Sequence, residues 1–401
     1  MLRLCPSAPT VFTALAVSVL GSAILAGVAS VAAQPAATPA ATRMFVYIGT
    51  YTGEKSQGIY RALLDLNTGA LSQPELAAPI TNPSFLALHP NGRALYAASE
   101  VGKFRDQATG AVSAFALDGT TGALTALNQE ASGGSGPAHV SVDTAGRTLL
   151  VANYGGGSVA SLPIQPDGSL KPAASVVTHA GSSTHPKRQT KPYAHSIKVD
   201  PSGAYAYAAD LGADRIFIYR LDSSAGTLVA ATPASAALKP GSGPRHLAFS
   251  ADGKFLYVIN ELALTVTVFA RDAVSGALRE VQTVGTLPSG VAADPAYSTA
   301  EVVIHPSGRF LYGSNRGHDS IVVFAIDQAS GKLTHVEHEP TQGSTPRGFG
   351  VDPSGRYLLA GNQRSDSVVV FGIDGRTGAL TPTGRTVTVG SPVSFVFAPA
   401  P

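Results

Sequence analysis

His195, Arg245 and Arg347 each stand eight residues before the glycine of a recurring turn, at Gly203, Gly253 and Gly355. Glu100, Glu261 and Arg316 each stand eight residues after such a glycine, at Gly92, Gly253 and Gly308. His139 and His246 fall seven residues before one. Guanidinium groups of this kind can stabilise negative charge on a carbonyl oxygen, while a neighbouring imidazole and carboxylate can move a proton. The spacing raises a structural question, namely what kind of element brings residues about fifty positions apart to one place.

The turns answer it. They run His89-Pro-Asn-Gly92, Asp143-Thr-Ala-Gly146, Asp200-Pro-Ser-Gly203, Ser250-Ala-Asp-Gly253, His305-Pro-Ser-Gly308 and Asp352-Pro-Ser-Gly355, with glycines 54, 57, 50, 55 and 47 residues apart. A Gly-x-Leu motif recurs seven times, at Gly69, Gly122, Gly168, Gly226, Gly276, Gly331 and Gly378. Between them lie short β-branched and aromatic runs such as Phe255–Ile259, Thr265–Phe269 and Ile321–Ile326, read as alternating strands. Four strands per unit at this period predict an all-β, seven-bladed β-propeller. The seventh turn is missing because the chain ends there. Val393–Phe397 reads as a first strand, Phe45–Ile48 as a second, and pairing the two closes the ring.

Within a blade the first and second strands form a hairpin. The start of one and the end of the other therefore share one mouth of the ring, where His195, Arg245, Arg347, Glu100, Glu261 and Arg316 are expected to converge. The slot seven residues after the glycine holds Ser99, Asn153, Asp210, Asn260, Asn315 and Asn362. Its uniformity points first to a local job, capping the strand end. Asn153, Asn315 and Asn362, with His139, His246, Arg347 and Glu100, also count as candidate substrate contacts. His179, His185, His335 and His338 read as surface residues, and the polar insertion Gly181–Lys191 as a lid or a flexible loop. Gly155-Gly-Gly157 lacks a following lysine and helix pattern, so it reads as a tight loop and not a phosphate cradle.

Composition narrows the function. With 13% charged residues, a net charge of +2 and no basic run, the 401-residue chain gives no reason to expect nucleic acid or an anionic membrane as partner. Residues 1–33 read as a signal peptide, with Arg3, an apolar Val11–Val28 and a cleavage site at Val31-Ala-Ala33. Residues 34–43 then form an Ala/Pro linker and 44–401 the propeller, placing the mature chain in the periplasm or outside the cell, free of the membrane after leader cleavage and as a monomer. The alternative is an uncleaved anchor. Cys5, the single cysteine, lies in the leader, which excludes a thiol nucleophile. The absence of Trp and of adjacent cysteines argues against a quinone-dependent dehydrogenase.

As a set, Tyr47-Ile-Gly-Thr-Tyr51, Gly136-Pro-Ala-His139, Tyr193-Ala-His195-Ser196, Gly243-Pro-Arg245-His246, Asn260-Glu261-Leu262, Ser314-Asn-Arg316-Gly-His-Asp319 and Thr345-Pro-Arg347-Gly348 resemble the lactonase family of seven-bladed propellers over residues 44–398. That family includes propeller-type 6-phosphogluconolactonase and carboxy-muconate lactonizing enzyme. The resemblance implies a small-molecule lactone as substrate, no cofactor and no obligatory metal, with His195, Arg245, Glu261 and Arg316 as the catalytic set. Glu261 or His195 would then activate water, and Arg245 and Arg316 would hold the oxyanion. A phosphorylated sugar lactone is a cytoplasmic metabolite, so an exported chain points to an unphosphorylated aldonolactone. Three other readings compete: a carboxy-muconate-type lactonizing enzyme, a non-catalytic propeller binding a protein or glycan, and a metal-dependent lactonase holding a hard cation on Glu100, Asn153, Asp210 and Glu261.

Overall fold

The computed structural model describes residues 12–16 and 42–401. The leader's charged start, its cleavage site and almost all of the linker lie outside the described residues. Among the described residues no helix is long and apolar enough to cross a membrane.

Seven antiparallel sheets of four strands each make up residues 43–400. Blade 1 joins both chain ends: Pro392–Ala400 is its inner strand and pairs with Arg43–Thr50, with Val46 opposite Phe397 and Ile48 opposite Phe395. Blades 2 to 7 begin with the inner strands Pro83–Leu88, Pro137–Val142, Ala194–Val199, Pro244–Phe249, Ser298–Ile304 and Pro346–Val351. Each inner strand touches the next in cyclic order, and the last touches the first, so the ring closes. Closure leaves no inner sheet edge open to pair with another chain.

The second strands are buried along all or nearly all of their length, as in Phe255–Asn260, so the alternation expected between apolar and polar faces is absent there. The alternation runs instead between two apolar faces. Leu256 and Val258 pack toward blade 4, and Tyr257 and Ile259 toward blade 6. All seven apolar clusters draw residues from two neighbouring blades. At roughly 1.5–3 kcal/mol per buried large aliphatic or aromatic side chain, these interfaces hold the ring together.

The Gly-x-Leu repeat has a structural role in this packing. Tyr47, Tyr96, Tyr207, Tyr257 and Tyr312 sit in second strands, and each hydroxyl donates to the carbonyl of the next blade's Gly-x-Leu glycine, at 2.7–3.0 Å. Only glycine fits at Gly331, where φ is +72° and an added Cβ would lie 2.4 Å from the Phe255 ring. Tyr257→Phe strands the buried Gly331 carbonyl and should cost about 1–3 kcal/mol. A denaturation midpoint equal to that of the parent would show that the latch contributes nothing.

Candidate active site

The strand that positions the site is irregular at one point in every blade. The register of the inner strand shifts between Pro83 and Phe85, Pro137 and His139, Ala194 and Ser196, Pro244 and His246, Thr299 and Val302, and Pro346 and Gly348. In blade 1 Val393 is passed over in the same way. The slot eight residues before the turn glycine is thus a β-bulge position, and a bulge re-aims the side chain it carries. In blades 4, 5 and 7 that side chain is His195, Arg245 or Arg347.

These residues meet, as the spacing predicts, with the groups that end the second strands. A cavity of about 310 Å³ is lined by Glu100, His195, Glu261, Arg316 and Arg347, together with Tyr154 and Arg188. An adjoining narrow crevice shares Glu100 and Arg347 and adds Arg245, His246 and Tyr51.

Glu261 is the centre of charge. It is 3% exposed, and its Oε2 accepts from Arg245 Nε at 3.0 Å and lies 3.1 Å from Arg316 Nη2. Its Oε1 accepts from Arg188 Nη2 at 2.5 Å. Burial alone pushes the carboxyl up, but the Arg316 and Arg245 guanidiniums, with Arg188, hold it well below the usual carboxylate range. Burial and the nearby Arg347 and Arg316 pull the Arg245 guanidinium down to about 9, which leaves it charged at neutral pH. Across the cavity Arg347 Nη2 donates to the Tyr51 hydroxyl at 2.9 Å, and that hydroxyl donates to Glu100 Oε2 at 2.6 Å.

His195 is neutral for a definite reason. Burial first, then Arg245 and His246, pushes its pKa well below the ordinary imidazole value. Its ring meets those of Tyr154 and His246 edge-on, each at 5.2 Å, and its Nδ1 is buried without a partner. His246 stands behind Arg245 and is tied at both nitrogens, Nδ1 to Glu301 Oε1 at 2.8 Å and Nε2 to Arg245 Nη1 at 3.2 Å. A guanidinium can only donate, so His246 Nε2 accepts and the imidazole proton sits on Nδ1, facing Glu301. Arg245 Nη1 also donates to the Ala300 carbonyl at 2.7 Å. With Nε and Nη1 committed, Nη2 is the Arg245 donor left for a ligand.

Several sequence expectations need correction. His139 is 0% exposed, stacks on Phe85 at 4.2 Å and lines neither cavity, so it is placed behind the site and not among the groups that face it. Asn153, Asn315 and Asn362 are also fully buried, donating through Nδ2 to the carbonyls of Ser132, Thr286 and Thr341. They fasten outer loops to strand ends and do not face the cavity. His179 is not a surface residue. It lies buried between Asp210 (2.7 Å) and the Tyr219 hydroxyl (2.8 Å). The four oxygen ligands suggested for a cation do not assemble, since Asp210 is committed to His179 and to the Tyr193 and Ala213 amides, Glu261 to arginines, and neither Asn153 nor Asp210 lines the cavity that holds Glu100 and Glu261. Among the described residues no group of three or more His, Cys, Asp or Glu side chains could hold a metal ion.

Four residues of this network escaped the sequence reading. Tyr51, Tyr154 and Glu301 sit in the repeat's own slots or motifs and could have been found by asking which polar groups neighbour the charged ones. Arg188 belongs to the connection 179–193, outside the repeat, and its only signal was its place in the polar insertion Gly181–Lys191, read as a lid or a flexible loop. That connection is pinned in place by Gln189, which is 0% exposed and donates to the Leu211 carbonyl at 2.8 Å. Lys191 Nζ donates to the Gly155 carbonyl at 2.6 Å, and an added Cβ at Gly157 would lie 2.6 Å from the Pro192 carbonyl oxygen. The glycine triplet is therefore the bed on which this connection rests.

The model of the family described as "Lactonase, 7-bladed beta-propeller" matches residues 45–397. The 6-phosphogluconolactonase of Bacillus subtilis is 39% identical over 306 residues, covering 76% of this chain and 84% of that one. The 6-phosphogluconolactonase of Formosa agariphila is 35% identical over 313 residues, covering 77% and 86%. Among solved structures, the periplasmic gluconolactonase of Pseudomonas aeruginosa superposes with a TM-score of 0.83 at 38% identity, covering 90% of this chain and all of that one. The ring of seven four-stranded blades, its charged mouth and these matches lead to one conclusion: the chain belongs to the lactonase family of seven-bladed β-propellers.

Proposed function

We propose that this protein is a lactone hydrolase that opens a sugar lactone ring, with Arg245, Arg316, Glu261 and His195 as its working groups. The observation that carries the reading is Glu261, a buried carboxylate holding the buried Arg245 and the mostly buried Arg316 beside a neutral imidazole. The names of the similar proteins, two 6-phosphogluconolactonases and a gluconolactonase, support the same substrate class. The leader-type sequence and the periplasmic location named for the Pseudomonas protein support an exported enzyme acting on an unphosphorylated aldonolactone.

The division of labour follows from charge and occupancy. Glu261 is held ionised and both of its oxygens are engaged, so it is a poor base. Its part is to orient Arg245 and Arg316. His195 is neutral and takes a proton from water as the water oxygen adds to the lactone carbonyl carbon. The carbonyl oxygen becomes an oxyanion facing Arg245 Nη2 and Arg316. When the tetrahedral species collapses, the ring C–O bond breaks and the departing alkoxide takes the proton back from His195. One water is consumed and a hydroxy acid is released.

The test is background-corrected turnover of glucono-1,5-lactone and its 6-phosphate by purified protein. A rate no higher than buffer for both would leave a non-catalytic binder as the better reading. The pH dependence tests the base. Because the pKa of His195 is lowered, the active neutral form persists as pH falls through the ordinary histidine range. Between pH 7.5 and 6, kcat/KM is expected to change by less than about twofold. An acid limb centred near the ordinary histidine value would remove His195 from the role.

A further inference from the structure

We infer that a second cavity beside the catalytic one is a subsite for a glycosyl substituent, so that the preferred substrate is the lactone of a disaccharide aldonic acid. This rests on the lactonase reading above. The cavity measures about 440 Å³ and adjoins the catalytic cavity, with which it shares Arg188 and Ser298 as lining residues. Its size falls within the range typical of small-molecule sites.

The scaffold does not need this cavity. Seven connections lead from the outer strand of one blade to the inner strand of the next, and five of them are three to six residues long. The other two, 179–193 and 286–297, have 15 and 12 residues. Both contribute walls to this cavity, the first through His185 and Arg188 and the second through residues 293–297. Long connections on a rigid frame are where binding determinants concentrate.

The wall chemistry suits a neutral polyhydroxylated ring. Tyr297 presents a half-buried aromatic ring, and Leu262 and Pro295 add apolar surface, the kind of surface on which the C–H faces of a sugar rest. Hydrogen-bonding edges alternate with it. His185 Nδ1 accepts from the Lys187 and Arg188 amides, which puts the ring proton on Nε2 as a free donor. Asp294 supplies a carboxylate, with Oδ1 accepting from the Ala296 amide. A phosphate fits less well, because Asp294 opposes it and Arg188, the cation in this wall, is already paired with Glu261.

The experiment compares kcat/KM for glucono-1,5-lactone, cellobiono-1,5-lactone and 6-phosphoglucono-1,5-lactone in the parent protein and in Ala293→Trp. Ala293 is exposed and lies outside the catalytic set, so the indole fills the cavity without disturbing the fold. The expected result is at least a tenfold preference for the disaccharide lactone over gluconolactone. Ala293→Trp should abolish that preference while leaving gluconolactone turnover within twofold of the parent. Gluconolactone turnover with no such preference, or an equal loss on both substrates in the variant, overturns the subsite and leaves the lactonase reading standing. A preference for the 6-phosphate that vanishes in Ala293→Trp overturns it in favour of an anion site. Hydrolysis of none of the three removes the lactonase reading and the subsite together.

Discussion

Arg245→Ala lowers kcat for lactone hydrolysis by about 100- to 1000-fold, the usual cost of removing one preorganised oxyanion donor. The size follows from how completely Arg245 is prepared. Nε is fixed by Glu261 and Nη1 by the Ala300 carbonyl and His246, so the guanidinium is held in place before substrate arrives and needs no reorganisation. The loss should fall on kcat and kcat/KM together, with KM little changed, because the oxyanion exists only in the transition state. Arg245→Lys should recover little, since an ammonium cannot hold Glu261, His246 and Ala300 at once while presenting a further donor. Circular dichroism and the unfolding midpoint show whether each variant is folded. A folded Arg245→Ala protein with parental kcat would end the assignment.

Glu261→Ala is expected to damage both stability and activity. It leaves Arg245, at 2% exposure, and the mostly buried Arg316 without their counter-charge, and breaking a buried ion pair from one side costs about 3–5 kcal/mol. Glu261→Gln keeps the shape and one acceptor but not the charge, so it should cost less stability while still lowering kcat by more than about tenfold. Parental stability and turnover in Glu261→Ala would show that the arginines do not depend on this carboxylate. The same coupling sets an acid limit. The folded-state pKa of Glu261 is depressed, so its stabilisation is fully present above the unfolded carboxylate value and drains away as pH falls from there to the lower folded value. Unfolding midpoints measured from pH 7 to pH 3 should therefore hold down to the ordinary carboxylate range in the parent and decline as pH falls through and below it. Glu261→Gln should lack this contribution throughout.

Repetition made most of the fold legible in the sequence. The six turn glycines, the seven Gly-x-Leu motifs and the half-blade at each end specify seven blades and their closure, because each unit can bury its faces only against the next. The same register carried His195, Arg245, Glu261 and Arg316 to one mouth, since equal positions in equivalent blades must occupy equivalent places. Spacing could not say which polar side chains turn toward solvent. Asn153, Asn315, Asn362 and His139 share the register of the site yet face loops or lie behind it, a choice made by side-chain packing. Nor could the repeat reveal Arg188 or the cavity between the two long connections. Those segments depart from the period, and their position depends on contacts such as Gln189 to Leu211 and Lys191 to Gly155, which only the folded chain brings together. Local periodicity set the blades and the address of the catalytic groups. Long-range packing decided which of those groups are exposed, how they are charged, and what else stands beside them.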